Sequence, residues 1–349
     1  MIFKMRIVTT ILAALSLSLF AACNQAPELQ KPLEAPIYDM TGFARGADVS
    51  WLTEMEKQGV KFYNRTGKEM ECLHLMRELG INTIRLRVWV NPATGWCNQE
   101  DLLVKAWRAK QLGFRLMVDF HYSDNWADPG KQDKPAAWAN LDFEALKTAV
   151  SNHTTEVLNL LKANDIEPEW VQVGNETGNG MLWPDGKASE NMAQYAQLNN
   201  AGYDAVKQVF AKAKVIIHLQ EGNKNQMYRW LFDGLKANGG KWDLIGMSLY
   251  PSAENWKALT DETIANMNDM IARYNTPVMV CETGMPWDDA DTAYEYLSNL
   301  MTRCKGIPNN QCTGVLYWEP QSNNGWNGYT LGAFDASGKP TKAMDAFKN

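Results

Sequence analysis

The sequence predicts a single (β/α)8 barrel, and three observations point to it. Eight short apolar stretches alternate with longer helical ones along most of the chain. No glycine-rich phosphate loop follows an early strand, as an open doubly wound sheet would normally show. Polar and charged residues gather at the ends of the apolar stretches, which is where such a barrel presents its reactive groups.

The strand candidates are 43–48 (FARGAD), 82–89 (NTIRLRVW), 114–121 (FRLMVDFH), 169–175 (EWVQVGN), 214–219 (KVIIHL), 243–250 (DLIGMSLY), 277–282 (PVMVCE) and 313–318 (TGVLYW). The clearest helix lies over 99–112, where Asn98 is placed to cap the first turn, Asp101 follows at the third position and Gly113 stops it. Residues 142–163 and 192–212 also carry apolar residues at three- and four-residue steps. Strand alternation sorts the second stretch into two faces. Ile84, Leu86 and Val88 face one way, and Arg85, Arg87 and Trp89 face the barrel axis. Two arginines inside a barrel require carboxylate partners, because an unpaired buried charge is expensive.

The remaining composition narrows the function. Of 349 residues, 45% are hydrophobic and 21% charged, which is ordinary for a globular protein. A net charge of −6 argues against a nucleic-acid partner. Fourteen tryptophans are many for this length. Because the indole N–H needs a partner when buried, they suggest an open groove with flat apolar walls suited to sugar rings; the alternative is a Trp-rich core. Four histidines offer no metal trio and the cysteines no zinc spacing, so no metal or cofactor is expected.

The chain divides into a signal over 1–22, a tether over 23–36 and a catalytic domain over 37–349. Lys4 and Arg6 precede an apolar run from Ile7 to Phe20 that is too short for a good membrane span. Phe20-Ala21-Ala22-Cys23 resembles the bacterial lipobox, although Phe20 stands where Leu is usual. That reading makes Cys23 a lipid attachment site; the alternative is an ordinary signal peptide cleaved near Ala22. Residues 24–36 are rich in proline and polar residues and read as flexible. The expected protein is an exported bacterial lipoprotein, held at the outer membrane through Cys23 and otherwise monomeric. Five further cysteines leave at least one unpaired, and Cys304 and Cys312 bracket a loop that a disulfide could staple.

Two glutamates carry the chemistry. Glu176 in VQVGNETGNG and Glu282 in VMVCETGMPW each follow an apolar strand and precede a glycine-containing loop. Cleaving a glycosidic bond needs one carboxylic acid to protonate the leaving oxygen and one carboxylate to attack the anomeric carbon, about 5–5.5 Å apart in a retaining enzyme. The ends of strands four and seven face each other across a barrel mouth. Arg87 beside Glu282 would keep that carboxylate ionised, and the Tyr250 hydroxyl could hydrogen-bond it. The competing reading is that both glutamates are structural and merely balance Arg85 and Arg87.

An Asn-Glu ending strand four and a Glu ending strand seven resemble the clan A retaining glycosidases. The stretches GADVSWLTEMEKQG, RLRVWVNP, LMVDFHYSDNWADPGKQDKPAAW, VQVGNETGNGMLWP, LIGMSLYP, CETGMPW and GVLYWEP, in this order, are similar to glycoside hydrolase family 53, the endo-β-1,4-galactanases. The resemblance implies an endo-acting hydrolase of β-1,4-galactan, type I arabinogalactan and related galactooligosaccharides. Glu176 matches the acid/base and Glu282 the nucleophile. Asn175 sits where clan members bind the sugar 2-hydroxyl. Arg87, His121 and Tyr250 match the groups around the nucleophile and the reacting sugar, with Asp48 and Asp119 at neighbouring strand ends. Trp318 matches the aromatic floor, and Trp126, Trp183, Trp287 and Trp326 are candidates to stack on further sugars. Some bacterial members hold calcium in a loop after strand seven. Here Asp288, Asp289 and Asp291 read instead as a charged helix start.

Two rivals remain open. One keeps the chemistry and changes the polymer to mannan, cellulose or xylan. The other is a lipid-anchored protein that captures glycans without cutting them, which the presence of both carboxylates disfavours.

Overall fold

Eight strands close into one parallel barrel in the order β1 to β8: β1 (Ala44–Asp48), β2 (Thr83–Val88), β3 (Arg115–Phe120), β4 (Trp170–Val173), β5 (Lys214–Leu219), β6 (Leu244–Leu249), β7 (Val278–Thr283) and β8 (Cys312–Trp318). The computed structural model describes residues 38–323 and 325–348. The signal, the tether and Cys23 lie outside the described residues.

Eight α-helices accompany the strands among the described residues: α1 (Leu52–Lys57), α2 (Cys72–Glu78), α3 (Gln99–Gln111), α4 (Phe143–Ala163), α5 (Ala188–Val209), α6 (Asn225–Ala237), α7 (Trp256–Tyr274) and α8 (Ala290–Lys305). The capping expected for α3 is present: the Asn98 side chain accepts from the Asp101 N–H at 2.8 Å. Asp289 caps α8 in the same way and Asp291 lies in its first turn, so the acidic run after β7 is a helix start.

The outward faces of the strands pack against the helices. Ile84, Leu86 and Val88 belong to that shell, together with Val171, Val173, Ile217 and Val315. The inward faces fill the barrel. Its lower part is an apolar plug of Ala44, Met117, Trp170, Ile216, Leu244, Met279, Cys281 and Leu316. The fit is close: a Cβ on Gly46 would stand 2.2 Å from Leu316 Cγ.

Strand β7 breaks the alternation. Met247 pairs with Val280 and the next residue, Ser248, pairs with Glu282, so Cys281 is the extra residue of a bulge. Without the bulge, Glu282 would follow Val280 onto the outer face. With it, Cys281 and Glu282 both turn inward.

Cys304, in the last turn of α8, and Cys312, at the start of β8, are buried free thiols in hydrogen-bonding contact, which corrects the expected disulfide. The hydrogen bond to Cys312 and burial both raise the Cys304 thiol well above its ordinary range and keep it protonated.

Candidate active site

Arg85 is the hub of the barrel mouth. Its guanidinium contacts Asp48 at 2.7 Å, Asp119 at 2.9 Å and Glu282 at 2.8 Å, and also reaches Gln172 and Asn175. Each of these partners stands at or near the C-terminal end of a strand, so closure of the sheet brings them together. Burial alone would push Asp119 up, but Arg85 and His121 outweigh it and hold its carboxyl below the usual range.

Arg87 has a different partner from the one expected. It pairs with Glu319 at 2.7 Å, not with Glu282. Glu319 directly follows β8, with φ of +48°, and also accepts from the Trp51 N–H. Two Arg87 nitrogens, Nε and Nη2, have no hydrogen-bond partner among the described residues. The guanidinium instead lies over the rings of Trp126 (4.3 Å), Trp89 (5.2 Å) and Trp51 (5.4 Å), and cation–π attraction offsets part of its lost hydration. The balancing carboxylate for Arg87 is thus Glu319, and Glu176 makes no ion pair within contact distance among the described residues.

Glu176 and Glu282 open into one cavity of about 920 Å³, whose walls include Trp51, Trp89, Trp96, Trp126, Trp318 and Tyr329. Trp318 meets Tyr329 edge-on at 4.6 Å and Trp51 at 5.1 Å. Flat aromatic faces beside polar groups suit the apolar face and hydroxyl rim of a sugar. A second cavity of about 450 Å³ lies on the other side of Glu176, walled by Gln220, Asn223, Lys224 and Leu259. Glu176 and Tyr250 border both cavities.

The turn that presents Glu176 is strained. Gly174 has φ of +85° and Glu176 φ of +47°, so two left-handed residues bracket Asn175. Asn175 is held by an amide donation to the Ala127 carbonyl at 2.8 Å and by Arg85. His121 accepts at Nδ1 from the Ala127 N–H and the Trp89 indole, so Nε2 carries its proton toward Asp119 at 3.0 Å.

The two glutamates differ in their partners. Burial raises both. Glu282 has Arg85 in direct contact and accepts from the Tyr250 hydroxyl at 3.0 Å. Among the described residues Glu176 has only the Ser248 hydroxyl, at 2.7 Å. Glu176 pushes the Glu282 carboxyl up further, to about 8, but only Glu282 has a cation in contact, so a proton shared by the pair is better placed on Glu176.

Most residues expected in the site are there. Glu176, Glu282, Asn175, Arg87, His121, Tyr250, Trp126 and Trp318 line the larger cavity. Asp48 and Asp119 are fully buried behind it and act through Arg85. Trp183, Trp287 and Trp326 do not line it. The Trp183 indole donates to the Asn179 carbonyl, the Trp287 N–H is tied to Thr330, and Trp326 packs toward the core. Sequence reasoning noticed Glu319 at the end of strand eight but gave it no partner, and it missed His218, Trp51 and Tyr329. His218 sits at an inward position of β5, where the alternation rule could have found it, whereas Trp51 precedes α1 and Tyr329 follows β8 in a loop. No group of three or more His, Cys, Asp or Glu among the described residues is arranged to hold a metal ion.

The family model described as "Glycosyl hydrolase family 53" matches residues 44–347. An arabinogalactan endo-β-1,4-galactanase of Thermothelomyces thermophilus is 30% identical over 87% of this chain and 98% of its own length. The arabinogalactan endo-β-1,4-galactanase A of Aspergillus niger is 32% identical over 79% and 84%. Among solved structures, a fungal β-1,4-galactanase aligns with a TM-score of 0.81 at 29% identity, covering 88% of this chain and all of that one. The Ignisphaera aggregans family 53 catalytic domain gives 0.80 at 30% identity, covering 88% and 96%. The chain is a glycosidase and belongs to glycosyl hydrolase family 53.

Proposed function

We propose that the protein is a retaining endo-β-1,4-galactanase, with Glu282 as nucleophile and Glu176 as acid/base. The observation that carries this reading is the unequal pairing of two carboxyls that open into one aromatic cleft. Arg85 in contact with Glu282 favours its ionised form against burial, and Tyr250 orients it. Glu176 is partly buried, has no cation in contact among the described residues and is raised by burial, so it keeps its proton. Glu282 attacks the anomeric carbon as Glu176 protonates the leaving oxygen. Glu176 then takes a proton from the water that frees the glycosyl-enzyme. The family 53 relatives named for arabinogalactan support galactan as the polymer.

A digest of purified galactan beside mannan, cellulose and xylan, with products sized, tests the substrate. Release of short galactooligosaccharides from galactan alone is the expected result; cleavage of another polymer in preference moves the enzyme to a different substrate. Azide tests the mechanism. With Glu176→Ala and an aryl galactoside oligomer, azide should restore turnover and give a β-azide product, because two inversions have occurred. With Glu282→Ala it should give an α product. The opposite pairing would swap the two roles.

The Lys4/Arg6 start, the apolar run to Phe20 and Cys23 support an exported lipoprotein, and the Pro-rich stretch after it supports a catalytic domain on a short tether. Cys23→Ser should move the protein from the membrane to the soluble fraction. A variant that stays bound through a salt wash would remove Cys23 from the anchor.

A further inference from the structure

A chain of hydrogen bonds runs from Arg85 to Glu176 through Asn175, His218 and Ser248. Asn175 Oδ1 lies 3.0 Å from Arg85 Nη2 and 3.1 Å from His218 Nδ1. His218 Nε2 lies 2.8 Å from Ser248 Oγ, and Ser248 Oγ lies 2.7 Å from Glu176 Oε1. His218 and Ser248 are inward residues of β5 and β6, and both are buried.

The chain has a direction. A guanidinium can only donate, and the Asn175 amide nitrogen is already committed to the Ala127 carbonyl. Asn175 Oδ1 is therefore an acceptor, and His218 Nδ1 must carry a hydrogen to meet it. The His218 ring is fully buried, with Arg85, Asp119 and His121 around it, and burial together with Arg85 pushes it well below its ordinary range. It is neutral, so Nε2 is a bare lone pair. Ser248 has one hydroxyl hydrogen and must give it to Nε2. Its oxygen can then only accept, and the atom 2.7 Å away that must donate is Glu176 Oε1.

We infer that His218 and Ser248 form a one-way hydrogen-bond relay that keeps the carboxyl proton on Glu176, which makes His218 a positioning residue for the acid step. A serine that donated to Glu176 would hold it ionised and would either leave His218 Nε2 unpartnered or require a buried imidazolium beside Arg85. The other groups facing Glu176 are Arg85, Asp119, Asp128, Glu282, Tyr228 and Tyr250. Among the described residues, Ser248 rather than any of these hydrogen-bonds the Glu176 side chain.

The relay also has a consequence for the second half of the reaction. In the first half the Glu176 hydroxyl turns its hydrogen from Ser248 to the leaving oxygen, and its O–H bond breaks as the leaving alcohol gains that proton. Ser248 can then turn its hydrogen toward the new carboxylate only by leaving Nε2 unpartnered, which is unfavourable for a buried nitrogen. The relaxed arrangement returns when Glu176 takes a proton from water. That water's oxygen bonds to the anomeric carbon as Glu282 departs.

This inference rests on the proposed roles of the two glutamates, and its test separates the two. Neutron diffraction of the deuterated protein at neutral pH needs no substrate. It should show a deuteron on His218 Nδ1, none on Nε2, and the Ser248 deuteron aimed at Nε2. A deuteron on Nε2 aimed at Ser248 overturns the relay. Correct deuterons in a protein that cleaves no glycan would overturn the functional reading and leave the relay standing. Kinetics supply the second arm. Ser248→Ala should move the basic limb of kcat/KM on galactan toward acid by about one unit, because the carboxyl proton loses its acceptor. The acidic limb should stay in place, and an aryl substrate that needs no acid should lose little rate. His218→Phe frees Ser248 to donate to Glu176 and should move the basic limb further, and the double variant should match Ser248→Ala, because His218 acts only through Ser248. A basic limb that stays put or moves toward alkali in Ser248→Ala overturns the inference, because that is the outcome for a serine that donates to Glu176.

Discussion

The lower interior of the barrel and the upper interior use the same inward strand positions for opposite purposes. Below, Met117, Trp170, Ile216, Leu244, Met279 and Leu316 fill the space with apolar side chains. Above, Asp48, Arg85, Asp119, Gln172, His218 and Ser248 fill it with charge and hydrogen bonds at equal burial. The lower layer gains from leaving water. The upper layer is at best neutral by that measure, because each charge loses its hydration and depends on its partner. It holds reactive groups in one geometry and one protonation state, and the plug beneath supplies the stability that the upper layer does not.

Substitutions that cross this boundary break or sharpen the contrast. The largest effect should come from Glu282→Gln, which loses the attacking oxyanion and should lower turnover about 10⁴-fold or more with the melting temperature unchanged or raised. Activity within tenfold of the parent would remove Glu282 as nucleophile. Arg85→Met should cost both functions. It leaves Asp48, Asp119 and Glu282 without their common cation, a loss of about 3–5 kcal/mol. Urea denaturation at neutral and acidic pH checks this: the variant should recover part of the loss at low pH, where the carboxyls protonate. A loss independent of pH would assign the effect to packing.

Leu316→Ala should cost about 2–5 kcal/mol of stability, with kcat changed only a few-fold in the protein that remains folded. A large loss of kcat in that variant would mean that the plug also sets the site geometry. Glu176→Gln gives the smallest stability effect and fixes its sign. Folding raises the Glu176 carboxyl above its unfolded value. Below the unfolded value both states hold the proton and nothing is lost. Above it the unfolded chain ionises first, so stability falls as pH rises toward the folded value. Glu176→Gln removes this term, and its melting temperature should decline less than the parent's between weakly acidic and neutral pH. Parallel profiles would show that Glu176 ionises equally in both states.

Much of the upper layer was legible in the sequence because strand alternation is a local rule. Arg85 and Arg87 read as inward from 82–89 alone, and Glu176 and Glu282 stood out by their place after apolar stretches. The loop tryptophans were less legible, since whether an indole faces a cavity or its own loop depends on backbone turns that composition does not specify. Trp126 faces the cavity, and Trp183 is tied back to Asn179.

By itself the sequence determined the order of strands and helices, the face of β2 that turns inward and the two glutamates of the site. Periodicity of two and of 3.6 is carried by neighbouring residues, so these features need no knowledge of the fold. Tertiary structure decided the pairings. Arg87 and Glu319 lie 232 residues apart and meet only because β8 closes against β1. Arg85 rather than Arg87 reaches Glu282 because the positions of strands around a closed barrel, not spacing along one strand, set which side chains converge. The β7 bulge belongs to the same class: it is a mismatch between two paired strands, and one strand's sequence does not contain it.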